Sequence, residues 1–380
     1  MQARWLGTGP KVAQFEKEFG LYKEAEHAVA VNSCTAALHL SLLRAGIGPG
    51  DEVITTAMTF GATVNAIIHS GATPVLADVD PATMNISPES ISARITPATR
   101  AVVIVHFAGR PCEMDAIQEI VKQNGLKLIE DCAHAVETRY HGRQAGTFGD
   151  FGCFSFYATK NLTAGEGGMI LPKSADDVDR LKVLALHGLS KDAWQRFGDS
   201  GYKHYRITEC GFKYNMMDLQ AAIAIHQLRS LENNWLRRQH IWDAYQEAFR
   251  DLPITLPAEP AAETRHAYHL HPVLVDEAVT EISRDAFIDA MTAQGIGVGV
   301  HYLSIAEHPY YQDSYGWRPE QFPAAMCIGR QTVSLPLSPS LPLSPILPIS
   351  PSLSDEDVQD VIEAVYRCFP RHRPRVTRRT

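Results

Sequence analysis

Through roughly the first 230 residues, short apolar runs alternate with segments of helical periodicity, and that alternation leaves few folds open to the chain. Residues 28–31, 52–55, 74–78, 101–106, 126–130 and 152–156 read as buried strands. Between them, 35–44, 60–70, 87–95 and 114–124 carry helix-type spacing. Strand and helix in alternation build right-handed βαβ units, so the expected class is α/β with a mainly parallel sheet. A long helical region, 218–250, follows, with Leu219, Ala222, Ile223, Ile225, His226 and Leu228 as its expected apolar face. From Pro253 onward a strand (268–275) mixes with helices (284–294 and 355–368), as in a smaller α+β domain. The expected domains are therefore a large α/β unit over 7–235, a small C-terminal α+β unit over 236–370, and a basic tail over 371–380.

Charge and cysteine usage narrow the function classes. Lys and Arg total 35 against 43 Asp and Glu, a formal charge of −8, so bulk charge recruits neither nucleic acid nor an acidic membrane. No apolar run approaches the ~18 residues of a membrane span, and the first residues lack a secretory apolar stretch. The seven cysteines are scattered, with no CxxC pair, which favours reduced thiols in a cytoplasm over a disulfide frame or a zinc site. A globular enzyme is the leading class. Two segments stand apart. Residues 335–352 read LPLSPS, LPLSPI, LPISPS, three tandem hexads where one would join the strand ending at Leu335 to a helix capped by Ser354 with Asp357. This reads as a duplication that lengthens a surface loop. The tail RHRPRVTRRT reads as a frayed, solvated end.

Three features at strand ends carry the chemistry, because open α/β sheets place ligands along that edge. In Val31-Asn32-Ser33-Cys34-Thr35-Ala36-Ala37 a strand gives way to a polar turn and a helix, whose first N–H groups favour an anion such as phosphate. Ser and Thr there are also ordinary caps. In Leu128-Ile129-Glu130-Asp131-Cys132-Ala133-His134 an apolar strand delivers a carboxylate to the edge, with an imidazole three residues on. The pair suits a protonated ring nitrogen and a flat ring, or equally a cap beside a packed histidine; a metal site lacks further ligands. In Phe154-Ser155-Phe156-Tyr157-Ala158-Thr159-Lys160-Asn161, Lys160 falls in a turn backed by Gly165-Glu166-Gly167-Gly168. A partly desolvated lysine has a lowered pKa and can form a Schiff base, while Ser155 could bind phosphate. Gly46-Ile47-Gly48-Pro49-Gly50-Asp51 follows a helix and precedes a strand, the reverse of a dinucleotide fingerprint, and reads as helix termination. Taken singly each feature has a bland reading. Together they match pyridoxal phosphate, which needs a lysine, an acid at its ring nitrogen and phosphate donors; no metal is expected.

At these residues the chain resembles the DegT/StrS family of nucleotide-sugar aminotransferases, of the fold-type I aspartate aminotransferase architecture. The resemblance runs from about Gly7 to Cys368 and is carried by GPKVAQFE, SCTAALHLSL, GIGPGDEVI, GATPVLADVD, IEDCAHA, GDFGCFSFYATKNLTAGEGGM and GFKYNMMDLQAAI. HGLSKDAW and GFKYN look most similar to enzymes of UDP-linked 4-keto sugars. The resemblance implies that Lys160 is the cofactor lysine and proton-transfer base. It implies that Asp131 pairs with the pyridine nitrogen, that His134 stacks on the ring where many members have Gln, and that Phe60 flanks the opposite face. Cys34, Thr35 and Ser155 would hold phosphate, and Asn215 would reach the phosphate of a neighbouring subunit, implying a homodimer with shared sites. His301 would line the sugar-nucleotide pocket. An amino acid, with glutamate the expected donor, and a nucleotide-linked keto sugar are the implied substrates; surface polysaccharide or a related glycan is the implied product. Members that dehydrate sugars replace the lysine by His, so Lys160 argues against that alternative; a cofactor-binding regulator without turnover is another. The chain departs from the family in starting almost at Gly7-Thr8-Gly9-Pro10, about one helix late, in Cys34 where Gly is common, and in the hexads.

Overall fold

The computed structural model describes residues 6–190, 206–337 and 353–372. In the first half the strands are β1 (Val29–Val31), β2 (Glu52–Thr56), β3 (Thr73–Ala77), β4 (Thr99–Val105), β5 (Lys127–Asp131), the short hairpin β6 (Arg139–Tyr140) and β7 (Arg143–Gln144), β8 (Phe151–Ser155) and β9 (Gly168–Pro172). All but the hairpin join one sheet in the order β1-β9-β8-β5-β4-β2-β3. From β3 across to β8 the pairings are parallel. Only β9 runs against its neighbours, pairing antiparallel with both β8 and β1.

Both faces of this sheet are covered, which explains why its strands read as apolar runs without alternation. Val53, Val103 and Ile129 pack on one face with α2 (Cys34–Arg44), α3 (Gly61–His69) and α6 (Ala175–Ala185). On the other face, Ile54, Val102 and Ile104 meet α4 (Pro88–Arg94) and α5 (Met114–Gln123), while Phe154 and Met169 meet α1 (Pro10–Tyr22) and α7 (Asp218–Phe249). Local chemistry sets the ends. The Ser33 hydroxyl accepts the Ala36 N–H at the start of α2. At its far end Gly46 has φ of 80°, and its N–H and that of Ile47 return to the carbonyls of Leu43 and Leu42. That is a Schellman stop, so GIGPGD ends a helix as expected.

The long helix α7 corrects the expected apolar face. Ile225 and Leu228 are buried, but Leu219 and Ile223 are 49% and 45% exposed and His226 points to solvent. The buried stripe is Ala221, Ala224, Ile225, Leu228 and Leu231, lying against Val12, Phe15 and Phe19 of α1. Small alanines let the two helices approach closely, and that packing outweighs the larger apolar side chains on the adjoining stripe. Past Leu231 the same helix enters a second core, where Ile241, Trp242, Tyr245 and Phe249 meet the C-terminal elements.

Those elements are β10 (Thr264–Arg265), which pairs with β6, β11 (His271–Leu274) and β12 (Thr332–Leu335), with α8 (Glu277–Thr280), α9 (Arg284–Ala293), α10 (Pro309–Tyr315), α11 (Pro323–Gln331) and α12 (Asp355–Cys368). β11 and β12 form a two-stranded antiparallel sheet. β11 is shorter than the expected 268–275, because Tyr268 takes a φ of 49° that no strand tolerates. The N–H groups of Ala267 and His269 turn instead to the carbonyls of Gly109 and Ala108. At α12 the Ser354 hydroxyl accepts the Asp357 N–H and the Asp357 carboxylate accepts the Ser354 N–H. The helix therefore begins with the expected capping box. Most of the hexads, the tail beyond His372, and half of HGLSKDAW lie outside the described residues.

Candidate active site

A cavity of about 440 Å³ opens along the carboxyl edge of the sheet. Cys34, Thr35, Phe60, Asp131, His134, Ser155, Lys160 and His301 all line it. Four separate strand ends deliver most of them. β1 leads into the Ser33–Thr35 turn, β2 into Thr59 and Phe60, β5 ends on Asp131, and β8 ends on Ser155 just before the Lys160 turn. Asn215 is not among the lining residues. It bridges to Val31, donates from Nδ2 to the Thr8 hydroxyl at 2.7 Å, and accepts from Lys213 Nζ at 2.7 Å.

Glycine makes the floor possible. A Cβ on Gly168 would stand 2.4 Å from the Ser33 carbonyl oxygen and 2.8 Å from the Cys34 nitrogen, so β9 can pass under the α2 turn only without a side chain. Gly165, with φ of 79°, turns the chain toward that strand. With Ser33 capping Ala36, the first N–H groups of α2, at Cys34 and Thr35, lie beyond the reach of any carbonyl within the helix. They and the buried Ser155 hydroxyl form a cradle of donors suited to a phosphate.

Asp131 is 5% exposed. Its Oδ2 accepts from the Thr63 hydroxyl at 2.9 Å and its Oδ1 from the Ala133 N–H at 3.0 Å, with the Cys34 thiol 3.8 Å from Oδ1. Burial raises its pKa, and the two hydrogen bonds and the charge of Lys160 oppose that rise. A protonated ring nitrogen placed beside it would further favour the charged form. Lys160 donates its N–H to the Tyr157 carbonyl, and burial lowers its amine to about 8 while Asp131 pulls the other way. An amine poised there is a usable nucleophile and base near neutral pH.

Three neutral imidazoles surround Lys160. His134, His269 and His301 are all held below the usual histidine range, chiefly by burial and also by the lysine charge. His134 Nδ1 accepts the Ala108 N–H at 3.3 Å, which puts the proton on Nε2, directed at the Tyr302 hydroxyl 3.2 Å away. The ring is thus locked, with His269 tilted against it at 4.3 Å. His269 Nδ1 in turn meets Asn161 Oδ1 at 2.8 Å, while Asn161 Nδ2 donates to Glu137 and to the Ala267 carbonyl. Glu137 is ion-paired with Arg238 of α7, both fully buried. A polar chain therefore runs from the long helix to the residue beside Lys160. At the mouth, Phe60 is 65% exposed, its ring 6.1 Å from that of Tyr302. His301 Nδ1 lies 2.9 Å from the Ser334 hydroxyl, and the His301–Tyr302 peptide is cis.

Thr63, His269 and Tyr302 escaped sequence reasoning. Thr63 sits in a helix whose pattern shows only packing, and Tyr302 was visible only as a neighbour of His301. The run His266-Ala267-Tyr268-His269-Leu270-His271 was the one available signal for His269. A second cluster, His106, Glu130 and Cys132, lies behind Asp131. Glu130 there accepts the N–H groups of Gly146, Phe148 and Gly149, and His106 Nε2 at 3.1 Å, while His106 Nδ1 accepts the Cys112 N–H. The ring nitrogens of His106 and the carboxylate of Glu130 are thus engaged in structural hydrogen bonds.

The donor cradle, the buried acid and the desolvated lysine fit a phosphate-bearing pyridine ring, and fold and site together define a fold-type I pyridoxal phosphate-dependent enzyme. The chain belongs to the DegT/DnrJ/EryC1/StrS aminotransferase family, whose model matches residues 1–366. It is 48% identical over 366 residues to the spore coat polysaccharide biosynthesis protein SpsC of Bacillus subtilis (strain 168), covering 96% of this chain and 91% of that one. Among solved structures it resembles Spr1654 from Streptococcus pneumoniae, described as a sugar aminotransferase. The PMP-form of Spr1654 gives a TM-score of 0.88 and 29% identity over 98% and 95% of the two chains. Its PLP-form gives 0.87 and 28% over 98% and 94%. S. venezuelae DesV in complex with a ketimine intermediate gives 0.84 and 33% identity over 96% and 91%.

Proposed function

We propose that this aminotransferase moves an amino group from an amino acid, glutamate, to the keto carbon of a nucleotide-linked sugar, in the making of a surface polysaccharide or related glycan. The convergence of Lys160, Asp131 and the Cys34–Thr35/Ser155 cradle in one cavity carries this reading. The family and the names of SpsC and Spr1654 support the sugar. Bound in the cavity, pyridoxal phosphate supplies a carbonyl that condenses with amines and a ring that takes up electron density from the adjoining carbon.

The residues divide the remaining work. Lys160 Nζ anchors the cofactor and, once released, carries a proton from the α-carbon of the amino donor and delivers one to the sugar carbon. The Asp131 carboxylate holds the proton at the ring nitrogen. His134 covers one ring face without adding charge, and Phe60 covers the other from the mouth. The N–H groups of Cys34 and Thr35 and the Ser155 hydroxyl hold phosphate, while His301 lines the sugar-nucleotide side. Asn215 reaches across to the neighbouring subunit of a homodimer. This reading assigns 7–235 to the cofactor domain, 236–370 to the small domain and 371–380 to a tail, in a cytoplasmic enzyme. Among the described residues no helix is long and apolar enough to cross a membrane.

The test is an absorbance spectrum of the purified protein loaded with pyridoxal phosphate, before and after glutamate. A lysine-bound band that shifts to the amine form and returns on adding a keto sugar nucleotide supports the proposal. A band that never responds to any amino donor would move the binding-only regulator ahead.

A further inference from the structure

We propose that Thr63 is a positioning residue for this chemistry: its hydroxyl, itself fed by Thr59, aims the Asp131 carboxylate and favours its charged form, a role that rests on the cofactor reading above. Thr59, Thr63 and Asp131 are 3%, 1% and 5% exposed, so little water competes for them even though they line the cavity. The Thr59 and Thr63 hydroxyl oxygens lie 2.8 Å apart, and Thr63 Oγ1 lies 2.9 Å from Asp131 Oδ2. An ionised carboxylate only accepts, so the Thr63 hydrogen must point at Oδ2, and the Thr59 hydrogen must then point at Thr63. The direction of the chain is fixed without seeing a proton. Each hydroxyl polarises the next, so the last donor is stronger than a lone threonine.

The surroundings explain why such a device is needed. Asp131 faces the Cys34 thiol from α2, Cys153 of β8, Lys160 from the turn after β8, Tyr302 across the cavity and its neighbour Cys132, and at longer range His106 from the end of β4. Burial works against its charge, and among the described residues Thr63 is the only side-chain hydroxyl that reaches it; the Ala133 N–H and, farther off, the Cys34 thiol serve the other oxygen. With Thr63 on one oxygen, and the Ala133 N–H and the more distant Cys34 thiol on the other, the carboxylate is held against rotation. Thr63 stands in the first turn of α3, where a threonine side chain can serve the backbone of its own chain. Here it bonds instead to a hydroxyl and to a strand 68 residues away.

The experiment measures the dissociation constant of pyridoxal phosphate for the full chain across pH, by quenching of intrinsic fluorescence. In Thr63→Val, which keeps the shape and removes the hydroxyl, the acid limb of affinity moves up by about one pH unit, and affinity near its foot drops roughly tenfold. Thr63→Ser restores the wild-type limb, and Thr59→Val shifts it by less than Thr63→Val. An unshifted limb in Thr63→Val, or an equal shift in Thr63→Ser, overturns the proposal. Should Thr63→Val fail to fold, Thr59→Val and Thr63→Ser decide: a shift in the first with none in the second supports the chain, and no shift in the first overturns it. If the wild-type protein does not bind the cofactor at all, it is the functional reading that fails.

Discussion

At the scale of single residues, the cavity is built on opposed environments for two groups. Burial lowers the Lys160 amine to about 8 and raises the Asp131 carboxyl, so in both groups burial works against the charge and each stabilises the other's charged form. Lys160→Ala is expected to lower amino transfer by three orders of magnitude or more, on the order of what loss of a covalent and proton-transferring lysine costs. Single-turnover spectra and a melting curve would separate this from unfolding. Asp131→Asn is expected to cost roughly 10²-fold or more in turnover, since an amide cannot hold a proton on a ring nitrogen. Steady-state rates with saturating cofactor check it. Eight of the nine residues named from sequence line one cavity: Cys34, Thr35, Asp131, His134, Ser155 and Lys160 follow strand ends that local pattern already marked, whereas Phe60 and His301 were reached only through the family resemblance. Asn215 could not be placed that way: its neighbours Thr8 and Lys213 show only that it is held at the margin.

At the scale of elements, caps and close approaches decide where segments begin. The capping box at Ser354 was legible because it lies within four residues. Removing it by Ser354→Ala is expected to cost about 1 kcal/mol of stability, measured by denaturant titration, with the cofactor spectrum unchanged. Gly168→Ala is expected to disturb the α2 turn and to weaken cofactor binding, since the added methyl meets backbone that cannot move aside. The orientation of α7 was misread for a different reason. Its sequence offers two apolar stripes, and only the presence of α1 selects the alanine-bearing one. The antiparallel placement of β9 was likewise invisible, since strand direction depends on partners and not on composition.

At the scale of the whole molecule, buried neutral histidines set an acid limit. His271 packs against Trp242 and Tyr245, neither of its ring nitrogens has a hydrogen-bond partner among the described residues, and burial lowers it to about 3. His301 is lowered to about 4. In the unfolded chain these groups titrate near the ordinary ~6.5. Below that pH the unfolded state binds protons that the folded state refuses, so stability is complete above it and falls as pH drops toward the folded values. Each such histidine is expected to contribute about 1.4 kcal/mol per pH unit across its window, checked by urea unfolding between pH 7 and 4. His271→Leu should flatten that slope. What the sequence by itself determined was short-range: the alternation of strand and helix, the caps, the glycine stops and the strand-end residues that line the cavity. Tertiary structure alone decided which stripe of α7 is buried, that Thr63 meets Asp131, and that His269 lies on His134. Those contacts join segments whose side chains have no preference for one another until burial removes water and leaves each polar group only the partners the fold brings within reach.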